Sequence, residues 1–175
     1  MAFKKSTAKK IAVMSLLTGL SLVMFIVENL LPPLFIPGAK LGLANIFSFA
    51  ALILYSPLEA FIVLTARTLL GAIFAGNLSA LLYSFTGGVV SMAVSSILIY
   101  TTYPKVSVMA VSIAAAVLHN LTQNLIFVFL TGSTLMFGYM PYLALLGIFS
   151  GAVVGGITLT VFKGVPANVF EKITT

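Results

Sequence analysis

Six apolar runs, each separated from the next by only a few residues rich in Pro, Gly or Asn, leave this chain little choice of fold. They cover about 11–31, 41–56, 57–75, 78–102, 107–131 and 141–163. A helix rises 1.5 Å per residue, so about 20 residues cross a hydrocarbon layer of about 30 Å. Inside that layer every backbone N–H and C=O needs a partner, which only helices and closed barrels provide. These runs are too long for barrel strands. Charged residues make up 7% of the chain, against about a quarter in soluble domains. The expectation is an all-α integral membrane protein with six transmembrane helices, forming a single membrane domain over 1–175. The second run is the weakest span, since 16 residues rise only about 24 Å.

The breaks are local and chemical. Pro32-Pro33 ends the first helix, because the residue before proline is pushed out of the helical region. Ser56-Pro57 marks a tight turn with proline at a first helical position. Gly76-Asn77, Tyr103-Pro104-Lys105 and Thr131-Gly132-Ser133 punctuate the rest. The basic start at Lys4, Lys5, Lys9 and Lys10 resembles a signal peptide. The run behind it, about 20 residues, exceeds an h-region, so it reads as a first span.

Orientation follows from Lys and Arg in the short loops. With the N-terminus inside, Lys4, Lys5, Lys9, Lys10, Lys105, Lys163 and Lys172 lie on the inner side and only Lys40 on the outer. Both termini are therefore expected in the cytoplasm. The net charge of +6 sits mainly in the tails. It points to contact with anionic lipid and not to nucleic acid.

Several chemistries are excluded by what is missing. The chain has no cysteine, one histidine and three acidic residues, all glutamate. Disulfides and thiolate metal centres are ruled out, and His119 has too few companions to form a metal site. No metal and no cofactor is expected in this chain.

Polar residues inside the apolar runs are the candidates for function, since each ionisable one costs roughly 2.5–3.5 kcal/mol to insert. Arg67 lies ten residues into the third run, about 15 Å deep, beyond comfortable snorkelling. It reads as a clamp for a carboxylate or phosphate, or as a structural partner of Glu28 or of helix carbonyls. Glu28, near the outer end of the first helix, either meets a ligand or holds Arg67. Lys40, between Gly38 and Gly42, caps an anion or snorkels outward. Asn45 lies one turn into the second helix and serves a ligand or a helix contact. His119, Asn120, Gln123 and Asn124 form two i,i+4 pairs on neighbouring stripes, which marks an interior or cavity face. The expected binding set is Glu28, Lys40, Asn45, Arg67, His119, Asn120 and Gln123. Gly71, Gly87 and Gly88 read as close-packing residues. Ala8 with Ala12, and Ser15 with Gly19, have small-xxx-small spacing and read as a docking face for a partner helix.

Pro37-Gly-Ala-Lys-Leu-Gly-Leu-Ala-Asn45, Arg67 with Leu70-Gly71, Gly87-Gly88, and His119-Asn120 with Gln123 together resemble one bacterial membrane family. It is heptaprenyl diphosphate synthase component I, also called Gx transporter, and it looks related to the S components of energy-coupling factor (ECF) transporters. The resemblance covers roughly residues 10–163. It implies a six-helix substrate-capture subunit in the bacterial cytoplasmic membrane. Such a subunit binds a vitamin-like molecule in the outer half and delivers it through an ECF coupling subunit and two ABC ATPases, which use the ATP. It also implies docking through small residues of helix 1, for which Ala8 and Ala12 have the spacing. The synthase name implies instead an accessory of polyprenyl diphosphate or quinone synthesis. Prenyl elongation holds magnesium and diphosphate with aspartates, and this chain has none; nor does it carry a Walker A phosphate loop. It is expected not to be an enzyme itself. Two candidate cations against one acid predict a small anionic ligand, such as an aromatic or isoprenoid acid or phosphate.

Overall fold

A computed structural model describes residues 7–30, 42–76 and 78–162. Among them all regular structure is helical: α1 (Thr7–Leu30), α2 (Asn45–Leu54), α3 (Pro57–Ala75), α4 (Leu78–Thr102), α5 (Val108–Thr131) and α6 (Met140–Phe162). A 3-10 helix, Thr134–Tyr139, leads into α6. Five of these segments are long and apolar enough to cross a membrane, and α2 is not. The chain is a multi-pass membrane protein.

Two helices depart from the sequence expectation. α1 begins at Thr7 instead of about 11, so Lys9 and Lys10 are helical. Long lysine stems let a helix carry its charges out of the apolar layer. α2 is the larger departure: it has 10 residues where 41–56 was expected, and it rises only about 15 Å, half the hydrocarbon depth. Its start is set by Gly42, whose φ of 72° is the left-handed region that favours glycine. The Gly42 carbonyl accepts from the Asn45 N–H at 2.8 Å. Its end is set by Ser56, held extended at φ −166°, ψ 171° before Pro57.

Short as it is, α2 is the centre of the bundle. Every residue from Ser48 to Ile53 is buried, and α2 packs against α1, α3, α4 and α6. Phe49, Leu52 and Ile53 join Val63, Leu64, Met92, Ile99 and Val111 in the apolar core. Contacts at the ends give the helix directions. Lys10 pairs with Glu59 and also sits over the Tyr55 ring, so the start of α1, the end of α2 and the start of α3 meet. At the other end Glu28 meets Leu43.

The tightest contact is between α5 and α6. Gly147, Gly151 and Gly155, spaced four apart on α6, face Val117, Ile113 and Met109 of α5 in antiparallel register. A Cβ at Gly151 would stand 2.5 Å from the Ile113 Cα, and one at Gly147 2.7 Å from the Val117 Cα. Only glycine permits that approach. The Ser112 hydroxyl crosses the same contact to the Gly151 carbonyl at 2.9 Å. Gly71 and Gly88 are also close-packed, against the Phe25 ring and the Leu64 side chain.

α1 lies at the edge, packed only on α2 and α3 among the described residues. Its outer face carries Ala8, Ala12, Ser15 and Gly19, all exposed, with Leu16 and Val23 beside them. Nothing lies within 4 Å of a Cβ built at Gly19.

Candidate functional site

The half-length of α2 places the first polar contact. Nine residues back from Leu54 to Asn45 is about 13.5 Å, and ten residues forward from Pro57 to Arg67 is about 15 Å. The turn between them therefore brings Asn45 level with Arg67 in the middle of the bundle. Arg67 Nη2 donates to Asn45 Oδ1 at 3.1 Å. A guanidinium only donates, so the amide must turn its oxygen toward it and keep its NH₂ for another partner. Arg67 is 5% exposed, and its Nε–H is buried with no hydrogen-bond partner.

Glu28, also buried, accepts from the Leu43 N–H at 2.9 Å. The carboxylate thus ties the end of α1 to the turn that starts α2. Ser21 reinforces the junction from below, donating to the Ala44 carbonyl at 2.7 Å. Glu28 makes no direct ion pair with Arg67. The ion pair among the described residues is Lys10–Glu59, with the Ser56 hydroxyl donating to the same carboxylate. Lys10, read from the sequence as a topology marker alone, also staples α1 to α3.

On α5 the polar set divides. Asn120 Nδ2 donates to the Leu143 carbonyl of α6 at 3.1 Å. Asn124 Nδ2 donates to the Met136 carbonyl at 2.9 Å and so anchors the 3-10 helix. His119 and Gln123 pack closely on α4 because residue 87 is glycine: a Cβ there would fall 2.7 Å from Gln123 Cγ and 3.0 Å from the His119 carbonyl oxygen.

These side chains share one cavity of about 140 Å³, lined from all six helices. Glu28, Asn45, Arg67, His119, Asn120 and Gln123 line it. Of the seven residues singled out in the sequence, Lys40 lies outside the described residues. Phe25, Phe49, Leu64 and Met92 form apolar wall, and Ser95, Ser112 and Ser150 also line the cavity. The serines escaped the sequence reading, since each is too small and too mildly polar to be singled out in an apolar helix. Their available signal was position: Ser84, Ser91 and Ser95 recur along one face of α4. The α6 glycines carried a stronger signal, a small residue every fourth position. Among the described residues no three His, Cys, Asp or Glu side chains group to hold a metal.

A family model described as heptaprenyl diphosphate synthase component I matches residues 17–161. The chain belongs to this family. The match includes every cavity-lining residue named above and the α6 glycines, whereas Ala8, Ala12 and Ser15 precede it. No curated protein and no solved structure matches the chain.

Proposed function

We propose that the chain is a non-catalytic, membrane-embedded binding subunit of the S-component type. It takes a small anionic molecule into the cavity between α1 and α6. The observation that carries this reading is Arg67. Its buried Nε–H lacks an acceptor, and leaving a buried donor unmade costs about 1–3 kcal/mol, more for a charged group. A carboxylate or phosphate in the cavity supplies that acceptor and offsets the charge, while Phe25, Phe49 and Leu64 take its carbon body.

In this reading the cavity opens to the outer side of a bacterial cytoplasmic membrane with both termini inside, which the lysine distribution supports. Capture from outside then requires delivery inward. In this reading an ECF coupling subunit and two ABC ATPases provide it, and the exposed stripe of Ala8, Ala12, Ser15 and Gly19 is the docking face. The test compares wild type with Arg67→Ala, purified in nanodiscs and analysed by mass spectrometry for retained small molecules. Wild type retains an acid that the variant loses. Equal retention by both makes Arg67 structural and removes the reading.

The family's description favours a second reading, a membrane accessory of polyprenyl diphosphate synthesis working with a second component. The chain's lack of aspartate leaves magnesium–diphosphate chemistry to that partner. The cavity constrains this reading. A cavity of about 150 Å³ holds one benzene ring, and a 35-carbon heptaprenyl chain has roughly six times as many carbons. An accessory role would act through partner contact and not by housing the product here. Synthase activity that rises on adding the purified chain, and that survives Arg67→Ala, would favour this alternative.

A further inference from the structure

Several polar groups around the cavity have their remaining hydrogen-bonding capacity set by bonds already made, and those of α2–α3 differ from three serines of α4–α6. On the α2–α3 side the free groups are donors. Arg67 offers Nε–H, and Asn45, its oxygen committed to Arg67, offers its NH₂. On the α4–α6 side three serine hydroxyls are left as acceptors, while Ser84, Ser91 and Gln123 line the same side with groups that can donate or accept. Ser112 has spent its one proton on the Gly151 carbonyl at 2.9 Å, Ser150 on Gly147 at 3.3 Å and Ser95 on Ser91 at 2.9 Å. A hydroxyl that has donated retains only lone pairs. Asn120 donates one N–H to the Leu143 carbonyl, which leaves its oxygen and its second N–H. Thr68, beside Arg67, is the exception on the donor side, with its proton on the Leu64 carbonyl.

We infer that the occupant is a ring-sized acid with a neutral hydrogen-bond donor, a hydroxyl or an amino group, on the end opposite its acidic group. The acid meets Arg67 and Asn45, and the donor meets Ser112, Ser150 and Asn120. This rests on the binding reading above and adds to it the second pole. The four acceptors on α4–α6 include no carboxylate, so the opposite end is matched to an uncharged O–H or N–H and not to a cation. The volume of about 140 Å³ limits the body to about one aromatic ring. A site that hydrogen-bonds a ligand O–H discriminates strongly against the analogue lacking it, because the buried acceptors are then left unpaired.

The probes are benzoate, 4-hydroxybenzoate and 4-hydroxybenzamide, tested by equilibrium dialysis against the full chain in nanodiscs, with empty nanodiscs as the blank. The expected order is 4-hydroxybenzoate tightest, by at least about tenfold over either analogue. Ser112→Ala narrows the advantage over benzoate to about threefold or less. Ser150→Ala, whose hydroxyl bonds only within its own helix, repeats the test without touching an interhelical bond. Arg67→Ala brings 4-hydroxybenzoate down to the level of the amide. Equal affinity for benzoate and 4-hydroxybenzoate in wild type, with both lost in Arg67→Ala, overturns the acceptor pole and leaves the anion site standing. Binding of none of the three at millimolar concentration overturns both.

Discussion

Substituting Gly151 by Ala tests the packing that holds the α4–α6 side of the cavity together. The added Cβ would sit 2.5 Å from the Ile113 Cα, 2.8 Å from the Ser112 carbonyl oxygen and 3.0 Å from the Ile113 N. All three neighbours are backbone, so no side chain can turn away. Carbon atoms rest at about 3.5–4.0 Å, so the two helices must separate by about 1–1.5 Å at this point. Overpacking of this kind costs about 1–3 kcal/mol. The same movement stretches the Ser112 bond to Gly151, now 2.9 Å, beyond hydrogen-bond range, at about 0.6 kcal/mol for a membrane-buried bond. The total is about 2–4 kcal/mol, or about thirty- to several-hundredfold in the unfolding equilibrium. Reversible unfolding in mixed micelles measures it. Gly156→Ala, whose Cβ meets only the Met109 Cε at 3.8 Å, and Gly19→Ala, which meets nothing, are the controls; both should stay within about 0.5 kcal/mol of wild type. Should Gly151→Ala unfold alongside the controls, α5 and α6 do not pack backbone to backbone and the cavity geometry falls with them.

Other outcomes follow from the same contacts. Glu28→Ala strands the Leu43 N–H and should destabilise by about 1–3 kcal/mol, whereas Glu28→Gln keeps an acceptor and should retain most of the thermal stability; equal losses would show that the charge matters and the hydrogen bond does not. Lys10→Gln and Glu59→Gln, combined in a double-mutant cycle, should couple by no more than about 1 kcal/mol, because the lysine side chain is 40% exposed; a larger coupling would mean that the pair is sealed from water. Since the chain has no cysteine, single Lys40→Cys and Lys105→Cys variants can be labelled in intact cells with a membrane-impermeant thiol reagent. Only the first should react, and labelling of Lys105→Cys would invert the topology.

The helical membrane architecture was readable from the sequence because the bilayer imposes it: long apolar runs have no alternative way to satisfy their backbone. The turn chemistry was readable for the same local reason, with Pro57 opening α3 and Gly76 and Gly132 closing α3 and α5 in left-handed conformation. So were most of the polar residues around the cavity, since an arginine, an acid and clustered amides stand out against hydrocarbon. Spacing along one helix does not state which neighbour a face meets. The small-residue pattern at Ala8, Ala12, Ser15 and Gly19 faces outward, whereas the equivalent pattern at Gly147, Gly151 and Gly155 is where two backbones touch. Asn120 and Asn124 look equivalent in sequence, yet one lines the cavity and the other holds the 3-10 helix. The sequence left Glu28 open between a ligand and Arg67, and its carboxylate also accepts from the turn before α2, a contact no spacing along α1 reveals. The composition of each helix decided that it would enter the membrane and roughly how deep each polar group would lie. The partner of each group was decided by helix rotation and by the ten-residue length of α2, which depend on contacts between segments far apart in the chain.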